Sequence, residues 1–126
     1  MRLTAMVLAL SVMFMLNTLP VIAQTNDFAG NWNVVLGNQN MYMTMGNDLR
    51  AVIYNNANDL IRSANINGEL VSNTHLMGTW IAWPDITDQG TVNMYLSDAD
   101  SFSGELTWEE DGLVVTFSGT RVPKPT

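Results

Sequence analysis

The chain has 126 residues, no cysteine, and five Lys or Arg against twelve Asp or Glu, a formal net charge of −7. That length suits one domain with its own core. The missing cysteines exclude disulfides and thiolate metal sites, and the acidic balance disfavours nucleic acid and anionic lipid as partners.

The first element is a targeting segment. Arg2 supplies a short positive region, Leu3 to Val21 is almost wholly apolar, and Pro20 followed by Ala23 supplies the break and small residue a signal peptidase reads. Cleavage after Ala23 is expected, giving a signal peptide over 1–23 and a single domain over 24–126. A retained anchor is the alternative, but Asn17 and Thr18 interrupt the run and no stop-transfer charges follow. Losing Arg2 leaves Arg50, Arg62, Arg121 and Lys124 against the twelve acids. With no thiol to acylate, the product is expected to be free of a stable membrane anchor, and secreted or periplasmic in a bacterium.

The rest of the chain alternates large and polar residues with the period of two that marks half-buried strands. Phe28, Gly30, Trp32, Val34 and Leu36 face one way, and Gly37 to Asn40 reads as a turn. Met41, Met43 and Met45 then face inward, Gly46-Asn47-Asp48 turns the chain, and Leu49, Ala51 and Ile53 continue the inward set. After a turn over Asn55 to Asp59, Leu60 to Ser72 reads as one long strand bulged at Gly68, or as a hairpin at Asn67-Gly68. The bulge is favoured because Ile66 and Leu70 keep the same parity. Asn73-Thr74-His75 reads as a turn, Leu76 to Ala82 as a strand, and Pro84 to Gly90 as the longest loop.

Val92, Met94 and Leu96 mark the next strand, and Asp98 to Ser101 a turn capped by its own side chains. Phe102, Gly104, Leu106 and Trp108 form the following inner face. Beyond Glu110-Asp111-Gly112, Leu113, Val115, Phe117, Gly119 and Arg121 form the last. Five of these strands place a glycine between two larger same-face residues: Phe28-Gly30-Trp32, Ile66-Gly68-Leu70, Leu76-Gly78-Trp80, Phe102-Gly104-Leu106 and Phe117-Gly119-Arg121. A small inward residue there leaves room for a neighbour's ring and lets a strand bend. No segment of the mature chain carries a helical period. The expected class is all-β, a small antiparallel up-and-down barrel of about eight strands, with an open β-sandwich as the alternative.

Gly30-Asn31-Trp32 in the first strand, with Arg121 in the last, resembles the calycin superfamily of lipocalins, avidins and bacterial metalloprotease inhibitors. The resemblance implies that Gly30 and Trp32 lie beneath Arg121 as a clasp closing one end of a barrel. It also implies a ligand or partner at the other end. The chain lacks the C-terminal helix of lipocalins and the disulfide of the inhibitors. Gly78 to Trp83 looks like an avidin strand, but that family's polar biotin ligands find no counterparts here.

The remaining constellations are weaker. Met41, Met43 and Met45 have thioethers suited to Cu(I), but same-face neighbours stand ~6.5–7 Å apart on a strand, and adaptable core filling is the favoured reading. Asp98, Asp100 and Glu105 invite calcium, but turn capping accounts for the first two. Asp85 and Asp88 are a carboxylate pair in a Pro-initiated loop. With no cysteine, a single His75 and no serine in a glycine elbow, the chain reads as a non-enzyme without cofactor or metal.

The inner face suggests ligand-binding candidates in Trp80, Trp108, Met43 and Phe102. Tyr42, Tyr54, Tyr95 and Trp83 point outward, where they suit sugar rings or a protein partner. The leading expectation is an exported protein holding a small apolar or amphipathic molecule inside a barrel. The alternatives are a protein-interaction module, such as a protease inhibitor or envelope component working through its outer aromatics and loop 84–90, and a purely structural exported domain.

Overall fold

The computed structural model describes residues 26–123, so the targeting segment and Lys124 lie outside the described residues. Eight strands follow one another: β1 (Gly30–Leu36), β2 (Gln39–Met45), β3 (Arg50–Tyr54), β4 (Arg62–Ser72), β5 (His75–Ala82), β6 (Gln89–Asp98), β7 (Ser101–Trp108) and β8 (Val114–Arg121). Each pairs antiparallel with the next, and β1 pairs with β8, closing an up-and-down barrel. Closure removes both sheet edges, which an open sandwich would leave unpaired. The described residues contain no helix.

Alternation decides which face is buried. In β1, Trp32 and Val34 are buried while Asn31, Asn33 and Val35 are exposed; in β8, Phe117 and Gly119 are buried between exposed Thr116, Ser118 and Thr120. The interior is filled by Phe28, Trp32, Met43, Met45, Ile53, Ile66, Leu76, Trp80, Met94, Phe102, Leu106 and Phe117 among others, and no polar side chain of the described residues is buried with them. Rings occupy two places along the barrel. Trp32 meets Phe102 edge-on at 5.1 Å and Phe102 meets Phe117 at 5.2 Å, while Trp80 meets Trp108 at 4.6 Å.

Several local expectations need correction. Residues 62–72 form one strand, but its ladder runs unbroken through Gly68, which pairs with Gly78. The register shifts fall instead at Ile53/Tyr54 and Leu70/Ser72. A hairpin at Asn67-Gly68 loses because the Gly68 amide donates to the Leu49 carbonyl at 2.9 Å and Leu76 packs over its α-carbon. Leu70 is 39% exposed. The last β3–β4 pair is Arg50 with Asn67, so the end of β4 has only β5 beside it.

Leu60 and Ile61 precede β4 in an exposed loop, and exposed Leu113 belongs to the turn before β8. There its carbonyl accepts from Trp108 and its amide donates to Asp111. His75 opens β5 rather than sitting in the turn, paired with Tyr95. Gly90 lies inside β6, not in the loop.

Candidate functional site

The two ends of the barrel differ. At one, the turns 46–49, 73–74 and 99–100 meet the residues leading into β1 and out of β8. Here Arg121 lies over Trp32, its guanidinium carbon 4.3 Å from the ring centre. Its Nη1 donates to the Ala29 carbonyl at 2.7 Å, Nη2 to those of Asp27 and Ala99 at 2.6 and 3.0 Å, and Nε to Ala99 at 3.1 Å. The fork thus ties three backbone oxygens from two segments to one indole face. Gly30 makes room for it: its φ is +127°, and a Cβ would stand 2.7 Å from Nη1. Trp32 Nε1 in turn donates to the Phe28 carbonyl at 2.9 Å.

The opposite end carries the turn 37–38 and the longer loops 55–61, 83–88 and 109–113. Trp80 and Trp108 stand beneath these loops, Trp80 buried and Trp108 half-buried. Trp80 Nε1 donates to the Thr107 carbonyl at 3.2 Å, crossing Gly90, where no side chain intervenes. Met43 is buried, and Phe102 is buried between Trp32 and Phe117. Of the four ligand candidates, Trp80 and Trp108 come together; Met43 and Phe102 join neither opening.

An open volume of about 970 Å³ adjoins Trp80 and Trp108. It is lined by three consecutive positions from each of five neighbouring strand segments: 50–52, 65–67, 79–81, 89–91 and 107–109, together with Gly112. Register explains this band. Ala51, Ile66, Trp80, Gly90 and Trp108 form one cross-strand row pointing inward. The rows on either side point outward: Arg50, Asn67, Thr79, Thr91 and Thr107 on one, Val52, Asn65, Ile81 and Gln89 on the other. The inward residues one step along, Ile53, Ala64, Val92 and Leu106, do not line the space. It is therefore a groove on the outer surface, floored by the inward row's backbone and walled by two rows of side chains. Its volume is within the ~300–1,000 Å³ of ligand sites.

Of the inward ligand candidates read from the sequence, only Trp80 and Trp108 adjoin this band, and its outward polar walls were not among the candidates. Its signal was present in the outward Asn65, Asn67, Thr79, Thr91 and Thr107, legible only once the strands were in register. A smaller recess of about 390 Å³ sits beside it, between Thr87-Asp88-Gln89 and Trp108-Glu109-Glu110.

The outward aromatics divide into two groups. Tyr42 and Tyr54 are cross-strand partners with ring centres 6.2 Å apart. Tyr54 pairs with Arg62, whose guanidinium lies 5.5 Å from the centre of the Trp83 ring. Tyr95 stands apart, stacked on His75 at 4.2 Å, while His75 Nε2 shares a 2.9 Å hydrogen bond with Asn93.

The carboxylates serve turns. Asp85 accepts from the Thr87 hydroxyl and amide at 2.7 and 3.1 Å, which holds its pKa below the ordinary value, the opposite of what a general acid needs. Asp98 accepts from the Asp100 amide and Ser101 hydroxyl and is lowered likewise. Asp100 pairs with Arg121 at 3.4 Å. Among the described residues no three His, Asp or Glu side chains gather as a metal ion would require. No protein-family model matches the chain, and a search of curated proteins finds no significant match.

Proposed function

We propose that this chain is an exported, non-enzymatic binding barrel that takes its ligand across the outer face of β3–β7. The observation that carries the reading is the pairing of a filled interior with a large external groove. An apolar molecule held inside would have to displace Met43, Phe102 or the Trp80–Trp108 pair, all packed against their neighbours. Interiors packed this closely do not yield such space without a cost of several kcal/mol. Within this reading the Gly30–Trp32–Arg121 clasp is a structural device, and it supports a calycin-like assignment for the scaffold.

Amide chemical-shift mapping tests the proposal, using small-molecule panels and fractions of envelope extract. Perturbations centred on Val52, Asn65, Thr79 and Thr91 support it. Stabilisation by an apolar ligand with perturbations at Met43 and Phe102 would replace it with an interior pocket.

A second reading, a protein partner at the loop end, is favoured by one observation. Leu60, Ile61, Trp83, Ile86, Leu113 and Val114 are all exposed there, on three loops and their margins. Asp59, Asp85, Asp88, Glu109, Glu110 and Asp111 are exposed on the same three loops. An apolar patch with an acidic rim suits a partner with basic borders. Ile86→Asp with Leu113→Asp should then abolish stoichiometric capture of one protein, and unchanged capture removes this reading.

A further inference from the structure

We infer that the ligand of the outer groove is a neutral glycan chain, a conclusion that rests on the outer-face reading above. Charge is the first argument. Of the twelve acids in this chain, only Glu69 falls within β1–β5. The rest lie in turns and loops or in β6 and β7. A protein this acidic repels anionic polymers at long range, while the groove's near-neutral wall offers little to a cationic one. Its formal charges are Arg50 at one border and Glu109 at the other, with Glu109 already accepting from Gln89 Nε2 at 2.8 Å.

The wall chemistry is the second argument. Asn67, Thr79 and Thr91 follow one another on adjacent strands and face solvent, whereas Thr44 and Asn31 on the neighbouring strands satisfy each other at 3.0 Å. Amides and hydroxyls both donate and accept, as the hydroxyls of a sugar do. Four strand spacings of ~4.8 Å extend the row over roughly 19 Å, long enough for several linked rings. A purely apolar ligand would leave these groups without partners.

The third argument is the border. Tyr54 and Trp83 lie two residues beyond the groove positions Val52 and Ile81, Tyr54 on the same face of β3 and Trp83 just past the end of β5, with Arg62 paired to Tyr54 and its guanidinium over the Trp83 ring. Flat rings beside a polar trough give the apolar C–H face of a sugar a surface to cover while its hydroxyls meet the wall. An extended peptide is the poorer occupant, because the strands lining the groove are paired on both sides there and leave no edge to which it could add.

The experiment titrates the protein with cellohexaose, chitohexaose, maltohexaose and oligogalacturonate, following tryptophan emission and amide shifts. Trp83, the most exposed of the indoles, provides the optical signal. At least one neutral hexasaccharide should bind saturably and perturb Asn65, Asn67 and Thr79. Tyr54→Ala and Asn67→Ala should each weaken it about tenfold, equivalent to ~1.4 kcal/mol. Tyr95→Ala, away from the groove, should leave it unchanged, with thermal melts showing that all three variants fold.

No binding by any neutral hexasaccharide, or binding indifferent to both groove variants, overturns the inference. If oligogalacturonate alone occupies the groove, the neutral-glycan assignment falls and the outer-face reading stands. If a saccharide binds and its shifts map to the interior, both fall together.

Discussion

Arg121 shows how much one side chain can organise. Hydrogen bonds from a charged group contribute about 1.5–3 kcal/mol in favourable settings, and a cation over an indole adds about 0.5–2. The ion pair to Asp100 adds little, because that carboxylate is exposed. Arg121→Ala is expected to lower unfolding free energy in urea by roughly 2–3 kcal/mol. Arg121→Lys should recover only part, since an ammonium cannot reach three carbonyls through a planar fork. Gly90 makes the complementary point. A Cβ there would run into the Thr107 carbonyl, backbone that cannot swing aside. Gly112 has φ +73° but nothing within 4 Å. Gly112→Ala should therefore cost about 1 kcal/mol and Gly90→Ala clearly more, read from the same denaturation curves. The clasp of Trp32 and Arg121 was legible through the resemblance of Gly30-Asn31-Trp32 and Arg121 to the calycin pattern. Gly90 was not, because only the register places Thr107 against it.

At the scale of the element, the turns carry the pH dependence. Asp98 has a depressed pKa in the folded state because the Asp100 amide and Ser101 hydroxyl favour its ionised form. A carboxyl of this kind stabilises the fold above its unfolded pKa, and the benefit is lost as pH falls through the folded value. Thermal midpoints should thus drop on acidification below the ordinary carboxylate range, and Asp98→Asn should flatten part of that slope. Equal slopes in the two proteins would show that the turn contributes nothing. The capped turn was readable from Asp-Ala-Asp-Ser alone. The parity of Leu70 and Leu113 was equally clear, yet both are exposed. Alternation states which face a residue takes, not whether a neighbouring strand extends far enough to cover it.

Across the whole molecule, β1 hydrogen-bonds to both β2 and β8, so no strand can detach without breaking the ring. Native-state hydrogen exchange should find the amides of Val34, Met43 and Leu106 opening at a common free energy, that of global unfolding. Phe102→Ala removes the ring that meets both Trp32 and Phe117, and is expected to cost about 3–5 kcal/mol. Its urea midpoint should fall accordingly. An apolar dye should leave the amides of Met43 and Leu106 unshifted in the wild-type protein, whereas the variant's new cavity admits it and shifts them. Dye-induced shifts at these interior amides in the native protein would restore the interior as a ligand site.

The pattern of large, small and polar residues by itself determined an all-β chain, the approximate strand number and the buried face of nearly every strand. All of these follow from a period of two and from turn chemistry, which are local. Tertiary structure alone decided where empty space lies. Whether Trp80, Met43 and Phe102 bound a pocket or fill it depends on how far each ring reaches across the barrel, and whether Asn67, Thr79 and Thr91 adjoin one another depends on ladder register. Neither is written in the spacing of residues along one strand, because both arise between strands.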